Sequence, residues 1–342
     1  MAQTTVGLDL IGFGSVGKAL LPLLHRCVEA TGRKLVVTGI RTRSGLSVAT
    51  RDVEHPIELS PGDLSLPERS EWPEAWTTIE SVEEMLAVSP GAVVVENSVL
   101  DFETGEPAAS YIRAAFAAGK HVVTSNKGPV ATQYKELAAA AKQAGVGFRF
   151  ESVVMDGAPV FSLVDEALTG SKVVSFEGIL NSTSNIVLCA MADGVSMADA
   201  IASAQAVGIA EADPSTDMDG WDAAAKVAAL LNVWSPHSVR PTDIVRDSVA
   251  GVTAADIADA AAAGEVLKVV CSGDIATGTG SVALRRLPLS NPLAHVVGSS
   301  SALTVVTDTM GPTTVFETDP GVAQTAYGNY YDILRLIKGG ML

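Results

Sequence analysis

The sequence predicts an α/β fold: a Rossmann-type, doubly wound parallel sheet followed by a second α+β domain. Three observations carry this. Short apolar runs of strand length alternate with helix-patterned segments up to about residue 150, the signature of parallel strands joined by right-handed crossovers. A glycine-rich turn stands between the first strand and the first helix. After Glu151 the alternation gives way to mixed helices and strands.

In order, residues 6–11 read as a strand, and the helical pattern of 18–29 places Leu20, Leu21, Leu23, Leu24 and Val28 on its apolar positions. Residues 34–41 form the next strand-like run. Strands at 92–96, 121–125 and 146–151 then alternate with helices at 106–118 and 132–144. Between them, residues 42–91 look irregular, because Pro56, Pro61, Pro67 and Pro73 interrupt any long element. Beyond Glu151, helices near 157–169 and 185–206 precede or separate strands at 173–180, 265–272, 281–287 and 302–307. Residues 255–263 form an Ala-rich helix. The expected division is a nucleotide-binding domain over 1–150 and a second domain over 151–320.

Length and composition agree with two folded domains. The 342 residues exceed the usual ~150 per domain. Hydrophobic residues make up 47% against 18% charged, which excludes a disordered chain. The formal net charge of −16 repels phosphate backbones, so no nucleic-acid partner is expected. Three cysteines, Cys27, Cys189 and Cys271, lie far apart with no CxxC or Cys/His cluster, and the five histidines show no metal-ligand spacing. The first apolar stretch has no basic segment before it and ends in glycines too soon for a signal peptide or membrane span. A soluble, cytoplasmic protein without a membrane partner is the expectation.

Gly12-Phe13-Gly14-Ser15-Val16-Gly17 is a G-x-G-x-x-G turn in the strand-to-helix context that gives the motif its meaning. The first glycine permits the tight turn, the second lets a diphosphate approach the backbone, and the third allows close helix–strand packing. A helix N-terminus then offers unpaired N–H groups to the anion. At the end of the second strand an NAD site usually carries an acid for the ribose hydroxyls. Here Arg41, Thr42, Arg43 and Ser44 stand instead, two guanidiniums and two hydroxyls that suit a 2′-phosphate. NADP is therefore favoured over NAD, with dual use left open.

Downstream, an acidic stretch from Glu211 to Asp219 leads into a helix carrying Asp222 and Lys226. As a calcium loop the stretch fails, since Lys226 would occupy the twelfth position where a bidentate glutamate is required. Asp219 reads as the helix N-cap, with Asp222 in a box-like arrangement. Asp222 and Lys226 share a face of a helix that is apolar nearly all round, hence buried. A lysine there needs a carboxylate or a cavity, and is suited to acid–base work. Lys127 follows the strand 121–125, and Ser98 ends the preceding strand at the same edge, where ligands of open α/β sheets bind.

These residues resemble homoserine dehydrogenases. The stretches GFGSVG at 12–17, GKHVVTSNKGPVA at 119–131, FEGILNSTSNIVL at 176–188, GIAEADPSTDMDGWDAAAK at 208–226 and PGVAQTA at 320–326 run in family order over nearly the whole chain. The resemblance implies NAD(P)-dependent interconversion of L-aspartate 4-semialdehyde and L-homoserine, on the route to threonine, methionine and isoleucine. It implies a split nucleotide-binding domain, completed by a last helix at 321–342, and a homodimer formed largely through the second domain. It assigns the proton donor to Lys226, the cofactor–substrate junction to Lys127, substrate binding to Glu211 and Asp222, and positions near the nicotinamide to Ser98 and Gly321. Asn181, Ser182 and Thr183 match a turn beside the substrate. The chemistry is coherent: reduction of an aldehyde leaves alkoxide character on oxygen, which an ammonium stabilises and protonates.

The resemblance also implies a monovalent cation, Na⁺ or K⁺, on backbone carbonyls of Glu151, Val154, Asp156 and Ala158. Asp156 stands where glycine or alanine is usual. With no kinase region before the first strand and little chain after the last helix, no control by a separate regulatory module is expected. Two rival readings are a related dehydrogenase of another small amino acid or semialdehyde, and a catalytically silent nucleotide-binding protein. The enzymatic reading requires the two lysines and their acids to serve one pocket at the nicotinamide end of the sheet.

Overall fold

Thr5–Ile11, the first apolar run, is the central strand (β1) of a seven-stranded sheet in the computed structural model, which describes residues 4–342 apart from Ser44, Pro61 and Asp63. The other strands are β2 (Lys34–Arg41), β3 (Ser47–Thr50), β4 (Trp76–Thr78), β5 (Val93–Glu96), β6 (His121–Thr124) and β7 (Phe148–Arg149), in the order β4-β3-β2-β1-β5-β6-β7. Strands β2, β1, β5, β6 and β7 are parallel. Because the winding reverses at β1, a crevice opens beyond the carboxyl ends of β1 and β5. The chain divides into two compact units, Met1–Gly157 with Gly321–Leu342, and Ala158–Pro320.

The first unit differs from the sequence expectation in four places. The segment 42–91 is not irregular throughout: β3 and β4 form an antiparallel edge, and Val82–Val88 is a helix capped by Ser81, which accepts from the Glu84 N–H. Their prolines lie between these elements. The expected helix 18–29 is three short pieces, Ser15–Leu20, a 3₁₀ turn Leu21–Arg26, and Cys27–Thr31. Pro22 lacks the N–H and crowds the preceding turn, which breaks the α-helix there. The helix expected from 132 begins at Lys127, because Asn126 caps it through the Gly128 N–H and Pro129 is tolerated in a first turn. The strand expected over 146–151 is only Phe148–Arg149.

The last helix, Val322–Lys338, buries Ala326, Tyr330, Ile333, Leu336 and Ile337 in the core of the first unit with Leu8, Leu10, Leu20 and Val95. A buried polar cluster ties it to the segment after β7. The Glu151 N–H donates to Asp332 Oδ2 at 2.7 Å, and Arg335 Nη1 lies 3.3 Å from Asp332 Oδ1 and 3.5 Å from Glu151 Oε2. Burial pushes Asp332 up to about 7, reinforced by the Glu151 charge and opposed by the Glu151 N–H and the arginines. The folded protein therefore holds a proton that the unfolded chain releases near the ordinary aspartate value of about 3.9. Stability falls as pH rises from that value through about 7, and levels off above it. Asp332→Asn removes the titrating group, so its Tm is expected to decline less than that of the parent between about pH 5 and pH 7. Equal declines, read by calorimetry, would contradict this.

The second unit is built on a six-stranded sheet of β8 (Val173–Ile179), β9 (Val245–Arg246), β10 (Glu265–Asp274), β11 (Thr279–Pro288), β12 (Ser301–Thr307) and β13 (Gly311–Glu317). Its order is β13-β12-β8-β10-β11-β9, antiparallel except for β9 with β11. Strand β13 escaped the sequence reading because its residues alternate between exposed and half-buried, with little apolar signal. The helix expected over 157–169 is confined to 161–167 and closes in a π-helical turn at Leu163–Ala167, with Gly157 and Pro159 before it and Gly170 after. The helix expected over 185–206 is two helices, Ser182–Ala192 and Met197–Ala206. Gly194 at φ +87° turns the chain between them, and Ser196 caps the second. Helix Trp221–Trp234 lies on β10 and β11 at glycine positions: a Cβ at Gly280 would come within 2.5 Å of Val227 Cγ1.

Candidate active site

The glycine turn follows from sterics. Gly12 sits at φ +84°, and a Cβ on it would lie 2.2 Å from the Asn97 carbonyl oxygen, so only glycine fits. A Cβ on Gly17 would meet the Gly12 oxygen at 3.1 Å, which keeps the helix close to its strand. Phe13 turns into the core. Above Gly14 there is open space, with nothing within 4 Å of where a Cβ would stand. That space is a cavity of about 230 Å³ lined by Gly14, Ser15, Val16 and Gly17 on one side and by Asn97, Ser98, Asn126 and Lys127 on the other. The structure thus brings Ser98 and Lys127 to the glycine turn. No carboxylate lines the cavity among the described residues, and one ammonium does, a match for a diphosphate.

Lys127 is the first residue of its helix. A cation there opposes the positive end of the helix dipole, so its placement favours a bound anion. The loops carrying Ser98 and Lys127 are joined by a buried acid that the sequence reading took only as a strand end. Glu96, fully buried at the end of β5, accepts from the Ser98 N–H at 2.7 Å and from Thr124 Oγ1 at 2.9 Å. Burial pushes its carboxyl up, and hydrogen bonds from Ser98, Thr124 and Asn126 pull the other way. Asn126 Nδ2 adds bonds to the Ser98 and Val99 carbonyls, both at 3.3 Å.

In the second unit, helix Trp221–Trp234 is buried on nearly every face, and Lys226 is 17% exposed. Its Nζ donates to the Leu180 carbonyl at 2.6 Å and stands 3.5 Å from Asp222 Oδ2. Asn181 Nδ2 joins two acids, donating to Asp217 Oδ1 at 2.7 Å and to Asp222 Oδ2 at 3.1 Å. Thr183 Oγ1 donates to the other Asp217 oxygen at 2.7 Å. Beneath the lysine, Cys271 is buried and its thiol is pushed up to about 12, so it stays protonated and contributes no charge.

Two family models match the chain, one described as homoserine dehydrogenase over residues 159–334 and one as the homoserine dehydrogenase NAD-binding domain over residues 12–151. The chain belongs to the homoserine dehydrogenase family. A relative from Pseudomonas canavaninivorans, named an NAD(+)-dependent homoserine dehydrogenase, is 33% identical over 98% of this chain and 97% of its own length. A homoserine dehydrogenase of Methanocaldococcus jannaschii is 31% identical over 96% and 97%. Among solved structures, a homoserine dehydrogenase from Thiobacillus denitrificans superposes with a TM-score of 0.82 at 27% identity, covering 99% of this chain and 74% of that one. A putative one from Archaeoglobus fulgidus gives 0.81 at 28%, covering 97% and 99%.

Within this family framework the remaining sequence-assigned residues are placed as follows. Ser182 Oγ donates to the Ser299 carbonyl at 2.9 Å. Glu211 is exposed, and among the described residues its carboxylate bonds neither Lys226 nor the aspartates. Its carbonyl is held by Gln205 Nε2 at 2.9 Å. Nothing in the sequence separates Asp217 from the other acids of 211–219; its bonds to Asn181 and Thr183, more than thirty residues away, do so in the fold. Asp219 is not the N-cap. Gly220, at φ +75°, takes that position without a side-chain bond, and Asp219 Oδ1 instead accepts from Ser248 Oγ at 2.7 Å.

Arg41 ends β2 and donates from Nη1 to Ser47 Oγ at 2.8 Å, while Arg43 is exposed in the following turn. Neither lines the glycine-turn cavity, nor does Gly321, the extended residue before the last helix. Ser44 lies outside the described residues. The segment Glu151–Val153 is a 3₁₀ turn, Asp156 follows at φ +38°, and the Asp156 carboxylate accepts from Thr325 Oγ1 at 2.6 Å. Among the described residues no group of three or more His, Cys, Asp or Glu side chains is arranged to hold a metal, and no helix is long and apolar enough to cross a membrane.

Proposed function

We propose that the chain interconverts L-homoserine and L-aspartate 4-semialdehyde with a nicotinamide dinucleotide, with Lys226 as the proton donor. The observation that carries the reading is the largely buried Lys226 ammonium beside Asp222, with Asp217 in the same hydrogen-bonded group. A dinucleotide held by its diphosphate on Gly12–Gly17 would supply or accept the hydride through its nicotinamide. Lys226 gives its proton to the carbonyl oxygen in reduction and takes it from the alcohol in oxidation. Asp217 and Asp222, oriented by Asn181 and Thr183, hold the substrate ammonium. Lys127 faces the anionic groups. Steady-state turnover of L-homoserine tests the proposal, and no activity with either NADP or NAD would remove it.

For the nucleotide, NADP is favoured over NAD, supported by Arg41 and Arg43 and by the lack of an acid at the end of β2. The NAD(+)-dependent name of the Pseudomonas relative makes NAD the competing outcome. Arg41→Ala is expected to raise KM for NADP about tenfold, one charged hydrogen bond, while KM for NAD changes little. Equal effects on both would mean Arg41 does not read the 2′-phosphate.

Carbonyls of Glu151, Val154, Asp156 and Ala158 would hold a Na⁺ or K⁺ ion, since hard cations take oxygen ligands and this segment lies outside sheet and α-helix. A homodimer is proposed through the second unit. Phe176 packs toward Trp234, so Ser175 and Glu177 face the other side of the sheet, where a shallow hollow lined by Ser272, Ser281 and Thr304 opens. Sedimentation at twice 35.2 kDa is the expected result. A cytoplasmic setting and a biosynthetic role toward threonine, methionine and isoleucine complete the reading.

A further inference from the structure

Lys268, 3% exposed in β10, is an ammonium without a carboxylate: among the described residues none lies within 4.0 Å of its Nζ. Its three donors go to Asn185 Oδ1 at 2.8 Å, the Val296 carbonyl at 2.5 Å and the sulfur of Cys189 at 3.2 Å. A buried ammonium bonded only to neutral acceptors is costly, and the sulfur is the one partner of the three that can act as a nucleophile. Cys189 also has access. Its side chain is half-buried and lines a cavity of about 440 Å³ whose walls are largely apolar, with Leu188, Ile257, Leu267 and Val297, and also carry the acids Asp193 and Glu265. The other two cysteines are fully buried.

We propose that Cys189 is a redox-reactive thiol, activated by Lys268 and oxidised by small uncharged hydroperoxides that enter this largely apolar cavity. Sulfur attacks one peroxide oxygen. The S–O bond forms as the O–O bond breaks, and the leaving alcohol, or water for hydrogen peroxide, carries off the thiol proton. Sulfur is oxidised by two electrons to the sulfenic acid and the peroxide is reduced. Lys268 stabilises the negative charge that sulfur carries as it attacks.

The modification is felt along helix Ser182–Ala192. Asn185, held by Lys268, also donates from Nδ2 to the Val296 carbonyl at 3.3 Å and the Gly298 carbonyl at 3.0 Å. One turn before it, Asn181 and Thr183 hold Asp217 and Asp222. An oxygen added at Cys189 disturbs the anchor from which those acids are oriented. Only this consequence rests on the homoserine reading; the thiol chemistry is read by mass alone.

The test treats the native protein with hydrogen peroxide, traps sulfenic acid with a 1,3-diketone, and maps the adduct by peptide mass spectrometry. N-ethylmaleimide serves as a second, neutral probe. The adduct is expected on Cys189, with Cys27 and Cys271 unmodified. Lys268→Met, verified folded by circular dichroism, is expected to react about tenfold more slowly, the loss of one hydrogen bond to a charged group. Cys189→Ala serves if that variant does not fold: it should retain turnover and lose the peroxide-induced rise in KM for homoserine. Overturning results are an unmodified Cys189, a folded Lys268→Met that reacts at the parental rate, or equal peroxide sensitivity in Cys189→Ala.

Discussion

Turnover by Lys226→Ala is expected to fall about 10²–10⁴-fold, the range for loss of a general acid–base group, while nucleotide affinity stays close to that of the parent. The split follows from placement. The Lys226 Nζ is held by the Leu180 carbonyl at 2.6 Å and faces Asp222 at 3.5 Å. The glycine turn, Ser98 and Lys127 line a cavity within the first unit. Arginine should not rescue the loss, because a guanidinium keeps its proton under all working conditions. Single-turnover kinetics with saturating NADP, beside a fluorescence titration of the nucleotide, read the two quantities independently. A kcat within threefold of the parent would return Lys226 to the role of a helix-surface ion pair.

What could be read from sequence was what local spacing encodes. The turn Gly12–Gly17, the buried helix bearing Asp222 and Lys226, and the strand-end positions of Ser98 and Lys127 each depend on neighbours within a few residues. Contacts made across the chain left no such trace. Asp9 sits inside an apolar strand pattern, yet it is fully buried because Lys120, more than a hundred residues on, donates to it at 2.8 Å, with Thr38 at 2.9 Å. The Glu96 carboxyl that joins two ligand loops looked like an ordinary strand end for the same reason. Edge strands were lost differently: β4 is three residues long and β13 has no fully buried residue, so neither shows a clear periodicity. At Asp219 two local rules competed. A good capping residue stood next to a glycine able to take the left-handed conformation, and the glycine won the position.

Asp217 yields the second large prediction, and it separates a substrate-binding acid from a merely structural one. Both its oxygens are already held, by Asn181 Nδ2 and by Thr183 Oγ1, each at 2.7 Å. An ionised carboxylate has about four acceptor directions, so two stay available for an incoming ammonium. Removing the charge takes away one of the two acids facing that ammonium. Asp217→Ala is therefore expected to lower kcat/KM for homoserine about 30-fold or more, chiefly through KM. Asp217→Asn keeps the volume but presents an amide to two donors, and should be impaired to a similar degree. Glu211→Gln is the contrast, since that side chain is exposed and outside the cluster, and its effect should be smaller. An Asp217→Asn enzyme with parental KM would show that the carboxylate only braces Asn181 and Thr183. The substrate ammonium would then have to be held by Asp222 alone, already shared with Asn181 and Lys226.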